Sequence, residues 1–234
     1  MDKCIKGIII VIDGMDGTGK KTQSDLLLKR IKTEFPGIRA ELVSFPNYNN
    51  RSSYFVKRFL KEGYCKNTNP YLLDSFFAID RAITFEQELR KKYENGYFLI
   101  LDRYTLSNAI YRIDKFNNED QSEYLSNLSH MEHGILNLPK PDINIILQSL
   151  PEVNMQLIDN RCKIDHVEKD INENMEVQTK VFNNIQNVVL NTDDNLFGPI
   201  NLLSIHDNEN KLYSKEEISN RIYQLVFDMV QKYI

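Results

Sequence analysis

Cysteine is scarce: Cys4, Cys65 and Cys162 are the only three in 234 residues. They are far apart and form no C-x-x-C pair. That excludes a disulfide framework, offers no zinc-ligand spacing and fits a reducing cytoplasm. Positive charge is not in excess either. Lys and Arg number 29 against 33 Asp and Glu, a formal net charge of −4. Such a balance argues against nucleic acid or an anionic membrane as the main partner, while leaving room for a local basic pocket. Long apolar runs are missing. The N-terminal one stops at Asp13, so neither a signal peptide nor a spanning segment is expected. No repeat or low-complexity tract occurs. What remains, 41% hydrophobic and 26% charged residues, is ordinary for a globular chain, and residues 1–234 suit one α/β domain.

Glycine is also sparse, at nine residues, yet three stand close together at Gly14, Gly17 and Gly19. They follow the most apolar run in the chain, Ile8 to Ile12. The stretch Gly14-Met15-Asp16-Gly17-Thr18-Gly19-Lys20-Lys21-Thr22 reads as a phosphate cradle. Its glycines let successive N–H groups turn inward around a polyphosphate, Lys20 brings a mobile charge, and the helix expected from Lys20 aims its N-terminus at the same anion. The spacing Gly, four residues, Gly-Lys fits the P-loop pattern. The next position, where a hydroxyl normally meets magnesium, holds Lys21. Thr22, one place on, could contact a phosphate or reach the metal. Asp16, a carboxylate among phosphate-binding amides, suits a sugar hydroxyl better than a phosphate.

Along the chain, Ile5 to Ile12 is a β-branched run expected of a central parallel strand. Leu27, Ile31 and Phe35 recur every four residues, giving a helix that Pro36-Gly37 stops. Ala40 to Phe45 reads as a second strand, ending in the aromatic loop Phe45-Pro46-Asn47-Tyr48. Asn69-Pro70 opens a helix reaching about Tyr93. Phe77 and Arg81 share a face of it and together could hold a flat polar ring; singly, they read as core and surface. A third strand, Tyr97 to Leu101, ends in Asp102-Arg103-Tyr104. This is either a strand-end salt bridge or, beside a phosphate loop, a place for magnesium and a second phosphate. Leu106 to Ile113 reads as a short helix carrying Ser107, Asn108 and Tyr111. His130 and His133 lie one turn apart on a helix with no third ligand evident, so zinc is not expected.

A fourth strand, Ile143 to Leu147, leads to a helix from Pro151 to about Asn160. The segment Arg161 to Glu168 reads as a solvated loop, or as a mobile lid at about 160–170 that could close over a transferring phosphoryl group. Residues 191–199 read as a surface insertion able to reshape the adenine side. Leu202 to His206 is a fifth strand, and Ser214 with Glu217 forms a capping box for the last helix. Five apolar strands alternating with helices imply an α/β three-layer sandwich with a five-stranded parallel sheet.

The P-loop, Phe45-Pro46, Phe77 to Arg81, Asp102-Arg103-Tyr104 with Ser107-Asn108, and Pro141-Asp142 together resemble the thymidylate kinase family, within the P-loop nucleoside-monophosphate kinases. The resemblance covers nearly the whole chain and implies a P-loop nucleoside triphosphate hydrolase-like fold, a homodimer, and transfer of the ATP γ-phosphoryl group to dTMP with Mg2+. It implies ATP binding by Gly14, Asp16, Gly17, Thr18, Gly19, Lys20, Lys21 and Thr22. Lys20, Asp102, Arg103 and Arg161 are the implied catalytic residues, with Asp102 organising the metal through water. Arg103 would hold the acceptor phosphate. Phe77 would stack on thymine, and Arg81 and Asn108 would hydrogen-bond its edge. Tyr111 would crowd the 2′ position, Asp16 would face the sugar, and Phe45, Pro46, Tyr48 and Ser107 would complete the acceptor pocket. Because Gly17 stands where some members carry a P-loop arginine, the transition-state charge is assigned to Arg161, with Lys163 second. Two alternatives stay open: a deoxynucleotide kinase of other specificity, and a nucleotide-binding protein without catalysis.

Overall fold

The computed structural model describes residues 6–187 and 189–233. Cys4 and Ile5, the latter the start of the expected first strand, lie outside them. Cys65 and Cys162 are free thiols.

Five strands, β1 (Ile8–Gly14), β2 (Ala40–Ser44), β3 (Phe98–Asp102), β4 (Ile143–Gln148) and β5 (Ile200–Ser204), form one parallel sheet in the order β2-β3-β1-β4-β5. The three central strands are covered on both faces, which is why they read as continuous apolar runs rather than alternating ones. Within β1, Ile10 and Ile12 pack on one face with Leu27 and Ile31, while Ile9 and Val11 pack on the other with Phe85 and Leu89. That alternation makes three layers from one sheet.

The helices are α1 (Lys20–Glu34), α2 (Tyr54–Glu62), α3 (Pro70–Thr84), α4 (Arg90–Glu94), α5 (Leu106–Arg112), α6 (Asn118–Ser129), α7 (Pro151–Asp165), α8 (Met175–Asn187), α9 (Asp194–Phe197) and α10 (Lys215–Tyr233). Helix α3 runs through a π turn, Phe85–Leu89, into α4, and α6 continues into a second, His130–Ile135. Two expected caps are present. Asn69 Oδ1 accepts from Tyr71 N at 2.9 Å, and Ser214 and Glu217 exchange side-chain and backbone bonds at 3.1 and 2.7 Å.

Two expectations need correction. Residues 161–165 are not loop: α7 continues to Asp165 and ends where His166 takes φ 52°. No glycine or proline interrupts the stretch, so mixed charge alone does not stop the helix. The connecting loop is therefore 166–174. The second concerns 191–199, a surface stretch that is anchored rather than loose. Phe197 is fully buried, Ser129 Oγ donates to Leu196 O at 2.7 Å, and a Cβ on Gly198 would lie 2.3 Å from Pro141 O. The insertion thus packs where β4 and β5 begin, at the sheet edge opposite the phosphate loop.

Candidate active site

β1 hands the chain directly into the glycine loop. Gly14, Gly17 and Gly19 all have positive φ, at 118°, 77° and 83°. Gly14 is also sterically required, since a Cβ there would sit 2.1 Å from Leu147 O. Helix α7 packs against Gly17, where a Cβ would meet Ile158 Cγ1 at 3.0 Å and Asn154 O at 3.1 Å. With α7 in place and φ at 77°, a side chain at 17 would be strained and would have to push α7 back by a few tenths of an ångström. A Cβ on Gly19 would meet nothing within 4 Å, which leaves the space over the loop open.

Lys20 is folded back across the loop, donating to Met15 O at 2.5 Å, with Asp16 at 3.8 Å. Burial, reinforced by Arg103 and opposed by Asp16, Asp102 and Asp13, lowers its pKa to about 8. Its ammonium is short of partners, as a cation awaiting polyphosphate would be. Lys21 and Thr22 are exposed on the first turn of α1, and Lys21 lines the neighbouring cavity.

That cavity, of about 340 Å³, opens at the carboxyl ends of β1, β2 and β3, where ligand sites form in such sheets. All ten residues assigned to the acceptor line it: Asp16, Phe45, Pro46, Tyr48, Phe77, Arg81, Arg103, Ser107, Asn108 and Tyr111. Asp102 lines it too. The structure therefore gathers into one wall residues spread over nearly a hundred positions of sequence. Phe77 meets Phe59 edge-on at 6.1 Å and carries the Arg112 guanidinium 4.8 Å from its centroid.

Arg103 leaves the end of β3 with φ 68°, its N–H donating to Ile12 O at 3.0 Å. Its guanidinium is shared: it reaches Asp13 Oδ1 at 3.3 Å, Gly14 O at 3.2 Å, Tyr111 Oη at 3.3 Å, and Asp16. Asp16 also accepts from Tyr111 at 2.7 Å and Gln178 at 3.1 Å. Burial would raise its pKa, but Arg103, Lys20 and these hydrogen bonds hold it below the usual carboxylate value. Asp102 differs. Burial raises it, and the one hydrogen-bond donor to its carboxylate among the described residues is Ser44 Oγ at 3.3 Å.

Several functional-looking residues were not singled out by sequence. Asp13, fully buried, accepts from Gly14 N at 2.8 Å, Tyr104 N at 3.3 Å, Arg103 and Ser107. The Ser107 proton is thus spent on Asp13 rather than offered to the cavity. A carboxylate ending an apolar strand was a readable signal here, as it was at Asp102. Glu132 and Asp74 gave none; they pair with Arg81 and Arg112 across long stretches of chain. Asp170 and Asn172 reach the cavity from the 166–174 loop, which docks through Ile171 N to Leu60 O at 3.1 Å.

Arg161 is not brought to the cavity. It sits in the last turn of α7, with Nη2 donating to both Glu173 oxygens at 2.7 Å. Lys163 is likewise on α7 and exposed. His133 Nδ1 bonds Leu138 O at 2.9 Å, and among the described residues no cluster of His, Cys, Asp and Glu could hold a metal by protein ligands alone.

A thymidylate kinase family model matches residues 12–207. A thymidylate kinase of Danio rerio is 27% identical over 150 residues, 64% of this chain and 65% of that protein, just under two thirds of its length. A probable thymidylate kinase of Methanococcus maripaludis is 22% identical over 224 residues, 95% of this chain and 98% of its own. The solved thymidylate kinase of Candida albicans shares the fold, with a TM-score of 0.65 at 20% identity, covering 98% of this chain and 94% of that one. Residues 12–207 take in the phosphate loop, the cavity wall and the 166–174 loop together. The chain belongs to the thymidylate kinase family of nucleoside-monophosphate kinases.

Proposed function

We propose that this kinase transfers the γ-phosphoryl group of ATP to dTMP, giving dTDP and ADP, in the cytoplasm. The observation that carries the reading is the juxtaposition of an open glycine loop bearing Lys20 with an adjoining cavity. That cavity has an aromatic and two base-reading side chains at one end and Arg103 at the other. Phosphoryl transfer demands little covalent chemistry, so positioning and charge neutralisation are what the protein must supply.

In this reading the P-loop amides and Lys20 hold the donor phosphates, and Arg103 exchanges part of its contact with Asp13 and Asp16 for the acceptor phosphate. Tyr111, held by Asp16, faces the 2′ position and favours deoxyribose. Phe77 stacks on the base. The 166–174 loop closes the acceptor side and excludes water. Arg161 reaches the transferring group only after leaving Glu173, so its contribution requires a shift of α7 and the following loop.

Magnesium accompanies ATP in this proposal. The residues present fit a hydrated ion better than a directly ligated one. Asp102 is a carboxylate short of donors at a strand end, whereas Asp13 already has four, and Lys21 replaces the usual hydroxyl. When bound, the ion would neutralise polyphosphate charge. A homodimer is the proposed assembly. Leu72, Ile79 and Ile83 are exposed on one face of α3 at spacings of seven and four, an apolar stripe that a second copy would cover. Sedimentation at micromolar concentration checks this; a monomer would remove it.

The test is initial-rate ADP release from ATP and magnesium with dTMP, dUMP, dCMP, dGMP, UMP and thymidine, with Lys20→Ala as blank. Strong preference for dTMP is expected. Preference for another acceptor would keep the kinase and overturn the roles given to Phe77, Arg81 and Asn108. Nucleotide binding with no transfer to any acceptor would leave a non-catalytic protein.

A further inference from the structure

Arg81, Asn108 and Arg112 line the acceptor cavity, and behind them stand two carboxylates that do not line it, Glu132 and Asp74. Glu132 lies on the π turn His130–Ile135 and accepts from Arg81 Nε and Nη2 at 2.6 Å each, the side chains being 0% and 2% exposed. It also accepts from Asn108 Nδ2 at 3.3 Å, while Asp74 O accepts from the same nitrogen at 3.2 Å. On the other side, Arg112 Nη2 donates to Asn108 Oδ1 at 2.6 Å, with Arg112 itself paired to Asp74.

A guanidinium has no acceptor and an ionised carboxylate no donor. The Asn108 amide therefore has one orientation. Reversed, it would set Nδ2 against Arg112 and Oδ1 against Glu132. With both Nδ2 hydrogens engaged, what Asn108 has left for a ligand is the second lone pair of Oδ1. Arg81, with Nε and one Nη2 hydrogen spent on Glu132, has left the hydrogens of Nη1 and the other of Nη2. The wall thus presents a donor beside an acceptor. A 4-oxo pyrimidine with N3–H complements that pair. A 4-amino pyrimidine presents the opposite pattern and would leave unpaired buried groups on both sides.

We propose that Glu132 is a positioning residue that, together with Arg112, fixes the donor–acceptor polarity of the Arg81–Asn108 wall, and thereby the discrimination of 4-oxo from 4-amino pyrimidine nucleotides. The inference rests on the reading of this cavity as the dTMP site. It separates two functions of one carboxylate: neutralising Arg81, which any buried counter-charge would do, and helping Arg112 and Asp74 O hold the Asn108 amide, which needs an acceptor at this place.

The test compares kcat and KM for dTMP and dCMP in the full-length wild type, Glu132→Gln and Glu132→Asp, each checked for folding by circular dichroism. Gln can donate toward Asn108, which turns one of the two side-chain restraints on the amide against its present orientation and leaves Arg112 alone to hold it. Asp keeps the charge for Arg81 but retracts it from Asn108. For Glu132→Gln the dTMP/dCMP ratio of kcat/KM should fall at least tenfold, carried mainly by a higher KM for dTMP, with kcat for dTMP within about threefold. Glu132→Asp should lower the ratio less, and it decides the matter if the Gln variant does not fold. An equal loss on both acceptors, or a ratio within twofold of wild type in the folded variants, overturns the proposal. A wild type that does not prefer dTMP overturns it at its premise, and the acceptor it does prefer then marks the failure as one of the cavity's assignment rather than of Glu132.

Discussion

The two ends of the acceptor cavity hold their charges in opposite ways. At the phosphate end Arg103 is 19% exposed and divided among Asp13, Asp16, Gly14 O and Tyr111, and Lys20 leans on a backbone carbonyl. At the base end Arg81 and Glu132 are 2% and 0% exposed and meet in a bidentate pair, with Asn108 Nδ2 as a further donor to Glu132. Shared, partly open contacts are ones a ligand can replace; an enclosed bidentate pair is geometry settled before the ligand arrives. Binding at one end completes an arrangement, and at the other it meets one already complete.

If this contrast holds, phosphate-end variants should lose activity and keep stability, while base-end variants should lose stability or selectivity. The largest effect is expected for Lys20→Ala, a fall in kcat of about 10²–10³-fold with the unfolding midpoint unchanged or raised, since a desolvated cation is removed. Steady-state rates and a urea melt on the same sample check both halves. Glu132→Ala reverses the pattern. It strands the Arg81 charge and should cost about 3–5 kcal/mol of stability, read from urea denaturation. A loss below about 1 kcal/mol would show that the pair is not sealed in solution.

A pH titration sharpens the comparison. Lys20 has a folded-state pKa of about 8 against an ordinary 10.5, lowered first by burial and then by Arg103. The unliganded protein therefore sheds this proton as pH passes 8. Between 8 and 10.5 that release favours the folded over the unfolded chain, so ATP affinity should fall while this group adds no instability. Calorimetry should find ATP bound about tenfold more weakly at pH 9 than at pH 7; a flat profile would contradict it.

The smallest expected effect is at Asp170, in the loop over the acceptor side. Burial, with Asp16 and Glu173 nearby, raises its pKa to about 6. A raised acid pKa means that the folded state is penalised once the group ionises, fully above pH 6 and not below about 4. Asp170→Asn should raise the midpoint at pH 7.5 by about 2–4 °C, corresponding to about 1 kcal/mol, and the gain should vanish near pH 4. An equal gain at both pH values would assign the effect to something other than charge.

The same contrast governs what could be read from the sequence. The phosphate end is local: residues 14–22 and 102–108 carry their chemistry in contiguous motifs at strand ends, and the strands themselves are apolar runs. The caps at Asn69 and Ser214 were legible for the same reason. The base end is assembled from α3, α5 and the π turn after α6, and Glu132 met Arg81 with no signal in either neighbourhood. Arg161 fell between these cases. Its charge fitted a lid, but Glu173, twelve residues on, holds it on α7 instead. The insertion at 191–199 looked free because turn residues crowd it, while its one anchoring ring, Phe197, gave no sign of being fully buried.

The most direct measurement is transfer of label from [γ-32P]ATP by the purified chain to dTMP, with the product separated and identified. Labelled dTDP that depends on Lys20 and on the 5′-phosphate of the acceptor is the expected result. ATP bound, but no labelled dTDP formed at saturating dTMP and magnesium, would contradict the assignment of this site to thymidylate phosphorylation.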